Sequence, residues 1–295
     1  MGLYNIRMFT QTIRMLMPKR AVDLVIISDV HLGTYGCHAT ELLSYLKSIK
    51  PATIILNGDI IDIWQFSKRY WPESHMKVVR KILKFVAEGV PVYYLTGNHD
   101  EMLRKFADFS LGSLQLANKL VLPLKNGKAW VFHGDIFDVT MQHAKWLARL
   151  GAIGYDTLIL LNSIVNWCLV RLGQDKMSFS KKVKARFKDA VKFINDFETT
   201  CAELAIEKGY QYVICGHIHQ PTIKEIVTPN GQVIYLNSGD WVENLTALEY
   251  HHHAWSIYQY RPEDTDADDM DFLEQEDLRD KLDVNKLLEL LKAEG

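Results

Sequence analysis

The sequence predicts a layered α/β fold whose central strands are buried on both faces. Two observations predict it. Short apolar runs recur without polar alternation, separated by helix-length stretches, as in parallel strands joined by crossover helices. Each of the first three runs ends in a polar cluster with a glycine in it or close after it, and ligand sites in such sheets form beyond the carboxyl ends of the strands. At 295 residues, 48% hydrophobic and 24% charged, the chain is long enough to bury a large core without disulfides.

The elements follow in order. The apolar run Val22 to Ile27 leads into Ser28-Asp29-Val30-His31, Thr53 to Leu56 into Asn57-Gly58-Asp59, and Val90 to Leu95 into Thr96-Gly97-Asn98-His99-Asp100. Helix-like stretches, Thr40 to Ile49 and Ser74 to Glu88, lie between them. Leu120 to Leu124 and Ala129 to Phe132 flank Asn126-Gly127, a hairpin signal, and the second run ends in His133-Gly134-Asp135. From about Thr140 to Asp196 the pattern is helical only. Tyr212 to Cys215 then leads into Gly216-His217-Ile218-His219. Thr222 to Thr228 and Gln232 to Leu236 read as a second hairpin, and Leu245 to Glu249 with Ala254 to Tyr260 complete a β-rich half. This organisation predicts one domain over 22–260 with a helical insertion at about 140–195.

Composition narrows the function classes. The formal net charge is −2, against a general nucleic-acid binder. The four cysteines form no CxxC pair, which excludes a structural zinc ribbon and fits a reducing compartment. Residues 261–295 hold 13 acidic and 5 basic residues, an acidic, solvated tail whose leucines at the end could form a short docked helix. Residues 1–21 are the opposite: Arg7, Arg14, Lys19 and Arg20 with no acid before Arg20. Lacking a long apolar core, they make a poor signal peptide. They read as a basic amphipathic segment for an anionic membrane surface, or as a helix or frayed start against the body.

The chemistry sits at the strand ends: Asp29, His31, Asp59, Asn98, His99, His133, His217 and His219. Carboxylate, imidazole and amide donors suit manganese, zinc or iron. There are too many for one tetrahedral ion, and they suit two ions sharing a carboxylate. Asp62, Asp100 and Asp138 are nearby acids able to orient such ligands or a loop, or to serve as turn residues. His251, His252 and His253 lack a partner pattern and read as a surface turn.

These motifs, in this order, resemble the five signatures of the calcineurin-like metallophosphoesterases. The resemblance spans Val22 to Tyr260. It implies a four-layer αββα sandwich with a di-metal centre, in which Asp29, His31, Asp59 and His219 hold one ion. Asp59, Asn98, His133 and His217 would hold the other, with Asp59 bridging. It further implies hydrolysis by a metal-bound hydroxide, with His99 and Asn98 at the phosphoryl group and His99 placed to stabilise charge or protonate the leaving oxygen.

The substrate expectation comes from the insertion. Trp146, Leu147, Leu150, Ile153, Tyr155, Leu158 to Leu161, Ile164, Val165, Trp167, Leu169 and Val170 make it strongly apolar, with Arg149 and Arg171 flanking. Glycines, asparagines and Asp156 interrupt it, so a helical lid is expected over a spanning helix; the alternative is an add-on that merely packs. Lys176, Lys181, Lys182, Lys184, Arg186 and Lys188 follow, suited to an anionic head group or diphosphate, or equally forming a solvated helix face. Trp64, Phe66, Tyr70 and Trp71 suggest a further aromatic wall. Lid, basic stretch and the segment Tyr235 to Asn244 resemble the UDP-2,3-diacylglucosamine diphosphatases of lipid A synthesis. That branch implies hydrolysis of the acylated nucleotide sugar to 2,3-diacylglucosamine 1-phosphate and UMP. It also implies two divalent ions, manganese first, and a peripheral place on the cytoplasmic face of the inner membrane. Asn98, His99, Trp146, Arg149 and Arg171 are then the expected substrate contacts. The best-known members of the branch carry arginine where this chain has His99. Alternatives are a phosphoprotein phosphatase, a cyclic nucleotide phosphodiesterase, a nucleotide pyrophosphatase, or a non-catalytic membrane-surface scaffold. The sequence sets no oligomeric state.

Overall fold

Leu24–Ile27 alternates its side chains between two apolar environments, and that alternation organises the molecule. The structure, a computed structural model, describes residues 19–64, 70–137 and 179–261. Its strands are β1 (Arg20–Val22), β2 (Leu24–Ile27), β3 (Ile49–Pro51), β4 (Ile54–Asn57), β5 (Val92–Leu95), β6 (Ser110–Leu111) and β7 (Leu114–Ala117), followed by β8 (Leu120–Leu124), β9 (Gly127–Val131), β10 (Tyr212–Cys215), β11 (Thr222–Thr228), β12 (Gly231–Asn237), β13 (Thr246–His251) and β14 (Ala254–Gln259). The helices are α1 (Ala39–Ser48), α2 (Glu73–Ala87) and α3 (Phe179–Glu207).

A seven-stranded sheet runs β14-β13-β2-β4-β5-β7-β6, and a five-stranded sheet runs β11-β12-β10-β9-β8. Strands β2, β4, β5 and β7 are parallel, as the crossovers α1 and α2 require. Val25, Ile27, Ile54, Leu56 and Val92 face the helices and join Leu42, Leu43, Leu46, Val78 and Phe85 in one core. Leu24, Ile26 and Ile55 face the other way and meet Val131, Ile214 and Leu236 of the second sheet. The outer face of that sheet, through Trp130, Val213, Cys215 and Tyr235, packs on Phe197, Cys201 and Ala205 of α3. Helix, sheet, sheet and helix thus form four layers. Each fully buried Leu, Ile or Phe contributes about 1.5–3 kcal/mol.

The apolar runs became strands within a residue or two of their expected limits. The first run splits at Asp23: β1 leaves the large sheet to pair in parallel with β3. The sheets are mixed rather than purely parallel, because β13 returns antiparallel beside β2. The basic segment before residue 19, Phe66, Asp138, the lid residues Trp146, Arg149 and Arg171, and the acidic tail after Arg261 lie outside the described residues.

Candidate metal centre

The backbone at the strand ends is bent in an unusual way. Asp29, His31, Asp59, His217 and His219 have φ of 52°, 54°, 54°, 66° and 54°, the left-handed region that costs non-glycine residues roughly 1–2 kcal/mol each. Such strain concentrates at functional sites held by the surrounding structure. Here the loops brace one another. Asp29 N–H donates to Gly58 O at 3.1 Å, the N–H groups of Val30 and His31 both donate to Asp59 O at 2.9 Å, and Gly216 N–H donates to His133 O at 2.9 Å. Gly97 is required by close approach: a Cβ there would lie 2.7 Å from Asp59 N and 2.8 Å from His133 Cδ2.

Two triads result. The ligand-type atoms of Asp29, His31 and His219 lie within 4.8 Å of one another, and so do those of Asp59, His133 and His217. Asp29 Oδ1 is 3.1 Å from His219 Nε2 and 4.0 Å from His133 Nε2. His133 Nε2 is 3.2 Å from Asp59 Oδ2. Yet Asp29 Oδ1, His133 Nε2 and Asn98 Oδ1 are buried with no hydrogen-bond partner among the described residues. Donor atoms about 3.0–3.4 Å apart that do not bond to one another have the spacing of neighbouring ligands on an ion with bonds near 2.1 Å. His133 is also in the right tautomer: its Nδ1–H donates to Asn57 O at 2.8 Å, which turns the Nε2 lone pair toward Asp29 and Asp59. The residues present therefore fit divalent cations. Asp59 accepts His99 N–H at Oδ1, 2.8 Å, and groups with the second triad only, so the expected bridging role is a proposal.

A third group joins His31, Asp62 and His99. Asp62 Oδ2 lies 2.8 Å from His99 Nδ1 and 3.5 Å from His31 Nδ1. The Trp64 ring stands 4.7 Å from the His99 ring, so that member of the aromatic wall faces the site. Tyr70 instead stacks on Tyr35, and Trp71 packs on His75.

Charge follows the geometry. Burial alone would raise the carboxyl groups of Asp29 and Asp59. The facing imidazoles outweigh it, holding Asp59 at about 2 and Asp29 well below the usual carboxylate range. Burial likewise opposes charge on His133, His219 and His99, but the carboxylates win. His133 is pushed up by Asp59 and Asp29, His219 by Asp29 to about 9, and His99 by Asp62. Cations binding at the two triads take the place of the protons on His133 and His219, so loading releases them and is favoured by rising pH.

Supporting residues surround the ligands. Asp100 orients a loop: Oδ1 accepts Gly97 N–H at 2.6 Å, and Oδ2 accepts Ile60 N–H at 3.0 Å and the Tyr94 hydroxyl at 2.6 Å. Arg104 bridges Gly97 O and the Asp135 carboxylate, tying the Asn98 loop to the His133 loop. Sequence reasoning missed Tyr94 and Arg104, whose partners carry no local signal. It quoted Asp240 and Asn244 only as part of a motif. His252 and His253 turn between β13 and β14, at the end of the sandwich away from the centre, exposed as expected of a surface turn.

A UDP-2,3-diacylglucosamine hydrolase of Aliivibrio fischeri is 23% identical over 250 residues, covering 81% of this chain and 98% of that protein. The Haemophilus influenzae protein of the same name is 25% identical over 236 residues, covering 75% and 92%. An archaeal phosphodiesterase of known structure aligns with a TM-score of 0.39 at 13% identity, over 80% of this chain and 98% of that one. The model of the calcineurin-like phosphoesterases matches residues 22–221, a span that holds both triads. On that match over most of its length, the chain belongs to the calcineurin-like phosphoesterase family.

Proposed function

We propose that the chain hydrolyses the diphosphate of UDP-2,3-diacylglucosamine to 2,3-diacylglucosamine 1-phosphate and UMP. The observation that carries the reaction type is the pair of ligand triads, Asp29–His31–His219 and Asp59–His133–His217, set side by side at the strand ends. Relatives aligned over nearly their whole length and named for this substrate support the choice of substrate.

Asp29, His31 and His219 would hold one divalent ion, and Asp59, Asn98, His133 and His217 the other, with Asp59 able to serve both. Bound there, the ions supply an activated water and neutralise phosphoryl charge. The chain does the rest. His99, with the Asp62 carboxylate beside Nδ1 and Trp64 flanking the ring, would present Nε2 to the substrate. From there it hydrogen-bonds a phosphoryl oxygen and delivers a proton to the departing oxygen. Asp100 keeps the Asn98-His99 turn rigid. The donor set of imidazole, carboxylate and amide oxygen favours manganese, with zinc or iron as alternatives.

Trp146, Arg149 and Arg171 remain proposed contacts for the acyl chains and diphosphate, and residues 1–21 a proposed contact with the cytoplasmic face of the inner membrane. Among the described residues no helix is long and apolar enough to cross a membrane, compatible with a peripheral attachment. The test is product identity. Incubation with the lipid in mixed micelles and manganese is expected to release UMP and 2,3-diacylglucosamine 1-phosphate in equal amounts. Hydrolysis of bis(p-nitrophenyl) phosphate with neither product would select a second reading, a phosphodiesterase for soluble substrates, which the Gly97-Asn98-His99-Asp100 motif favours.

A further inference from the structure

The loop between β12 and β13 lies against one triad. Asp240, fully buried at its start, spends one carboxylate oxygen on the loop itself: Oδ1 accepts the N–H groups of Val242, Glu243 and Asn244 at 2.8, 2.5 and 3.2 Å. The other oxygen faces the centre. Oδ2 accepts Asn244 Nδ2 at 2.5 Å and stands 3.8 Å from His219 Nδ1. The Asn244 amide also donates to His219 O at 2.9 Å, and Trp241 N–H donates to Asp29 O at 3.0 Å. The turn is strained to achieve this: Leu245, a bulky residue, sits at φ 52°, where only surrounding constraints keep such a side chain. Thr246 N–H closes it onto Asp240 O at 3.0 Å.

The other triad is held from elsewhere. Asn57 O takes His133 Nδ1–H, His99 N–H reaches Asp59, and Arg104 and Asp100 fasten the Asn98 loop. The two halves share backbone braces, through His217 N–H to Asp29 Oδ2 at 3.0 Å and Val30 and His31 N–H to Asp59 O, but the Asp240 and Asn244 side chains face His219. We propose that Asp240 and Asn244 are positioning residues for the Asp29–His31–His219 half, setting its affinity for a divalent cation separately from the Asp59–His133–His217 half. The carboxylate aligns the His219 ring so that Nε2 faces Asp29, and the Asn244 amide pins the His219 backbone. This inference rests on reading the triads as two cation sites.

The test is manganese binding, read from free Mn2+ by electron paramagnetic resonance, in two backgrounds. His217→Ala keeps the Asp29 half, and His219→Ala keeps the Asp59 half. Asp240→Asn preserves the shape and the Oδ1 acceptor, but turns an amide toward the Asn244 amide and His219. In the His217→Ala background it is expected to weaken the remaining ion about 10–100-fold, the usual effect of losing a partner that orients a ligand. In the His219→Ala background, where the ring that Asp240 faces is gone, it should leave the remaining affinity within about twofold. Asn244→Ala should give the same pattern, and carries the test if Asp240→Asn fails to fold. Equal weakening in both backgrounds, or weakening in neither, overturns the proposal. If neither histidine variant by itself alters manganese binding, the two-site reading fails first, and the proposal with it.

Discussion

Asp62 Oδ2 stands 2.8 Å from His99 Nδ1, while Asp62 itself is 1% exposed. A buried carboxylate at that distance raises the His99 imidazole against the opposing effect of burial. Asp62→Asn removes the charge and keeps the shape. It is expected to lower kcat about 10–100-fold, within the range supplied by one positioned acid. The alkaline limb of the kcat profile should move to lower pH, because the proton on His99 is held less tightly. Steady-state kinetics across pH check both. An unchanged limb would remove His99 from the proton transfer.

Asp59 contacts both sides of the centre through its backbone and its carboxylate. With its carboxylate proposed to serve both ions, Asp59→Ala is expected to lose both and nearly all turnover, measured as bound metal per chain after gel filtration beside the initial rate. Retention of one tightly bound ion would confine Asp59 to the His133 half.

Asp100 accepts three hydrogen bonds from Gly97, Ile60 and Tyr94 while fully buried. Asp100→Ala leaves those donors without a partner, which should cost about 3–5 kcal/mol at roughly 1–3 kcal/mol for each unsatisfied group, allowing for relaxation. Urea unfolding of the metal-free chain reads this directly. Asp100→Asn keeps the shape and one acceptor oxygen and should cost less.

His75 gives a pH dependence from outside the set of candidate metal ligands. Burial pushes its imidazole down to about 4, and its Nδ1 accepts the Gly33 N–H at 2.9 Å, a bond that the ring loses when protonated there. Its folded value is depressed, so the unfolded chain binds the proton first as pH falls. The stability from neutral His75 is fully present above about 6.5 and is lost between there and about pH 4, at most about 3 kcal/mol. His75→Gln should flatten that part of the stability curve. An equally steep fall in the variant would assign the loss to other groups.

Much of this was legible in the sequence because the central strands are apolar on both faces. Val25 and Ile26 point into different cores, so the run shows no alternation and stands out, and the polar cluster after it stands out as sharply. The short strands were hidden for the opposite reason. Asp23 interrupts the first run without an obvious break, and Ser110–Leu111 and Leu114–Ala117 are short, partly exposed and near the sheet edge. The ligands were legible as residue types beside glycines. Their supports were not: what Asp62 and Asp240 touch depends on which loops the fold brings together, and no local pattern encodes that. The paired cysteines are a similar case. Cys201 and Cys215 approach to 3.9 Å between helix and sheet, as packing groups with no spacing motif.

Recognition of the acyl chains is read most directly from the ratio of kcat/KM for UDP-2,3-diacylglucosamine in mixed micelles to that for UDP-glucose, at fixed manganese. The account predicts a ratio of at least about a hundredfold, since acyl chains in an apolar site contribute several kcal/mol that the sugar nucleotide lacks. Equal values for the two substrates would contradict it, leaving a two-ion phosphoesterase that does not recognise the acyl chains.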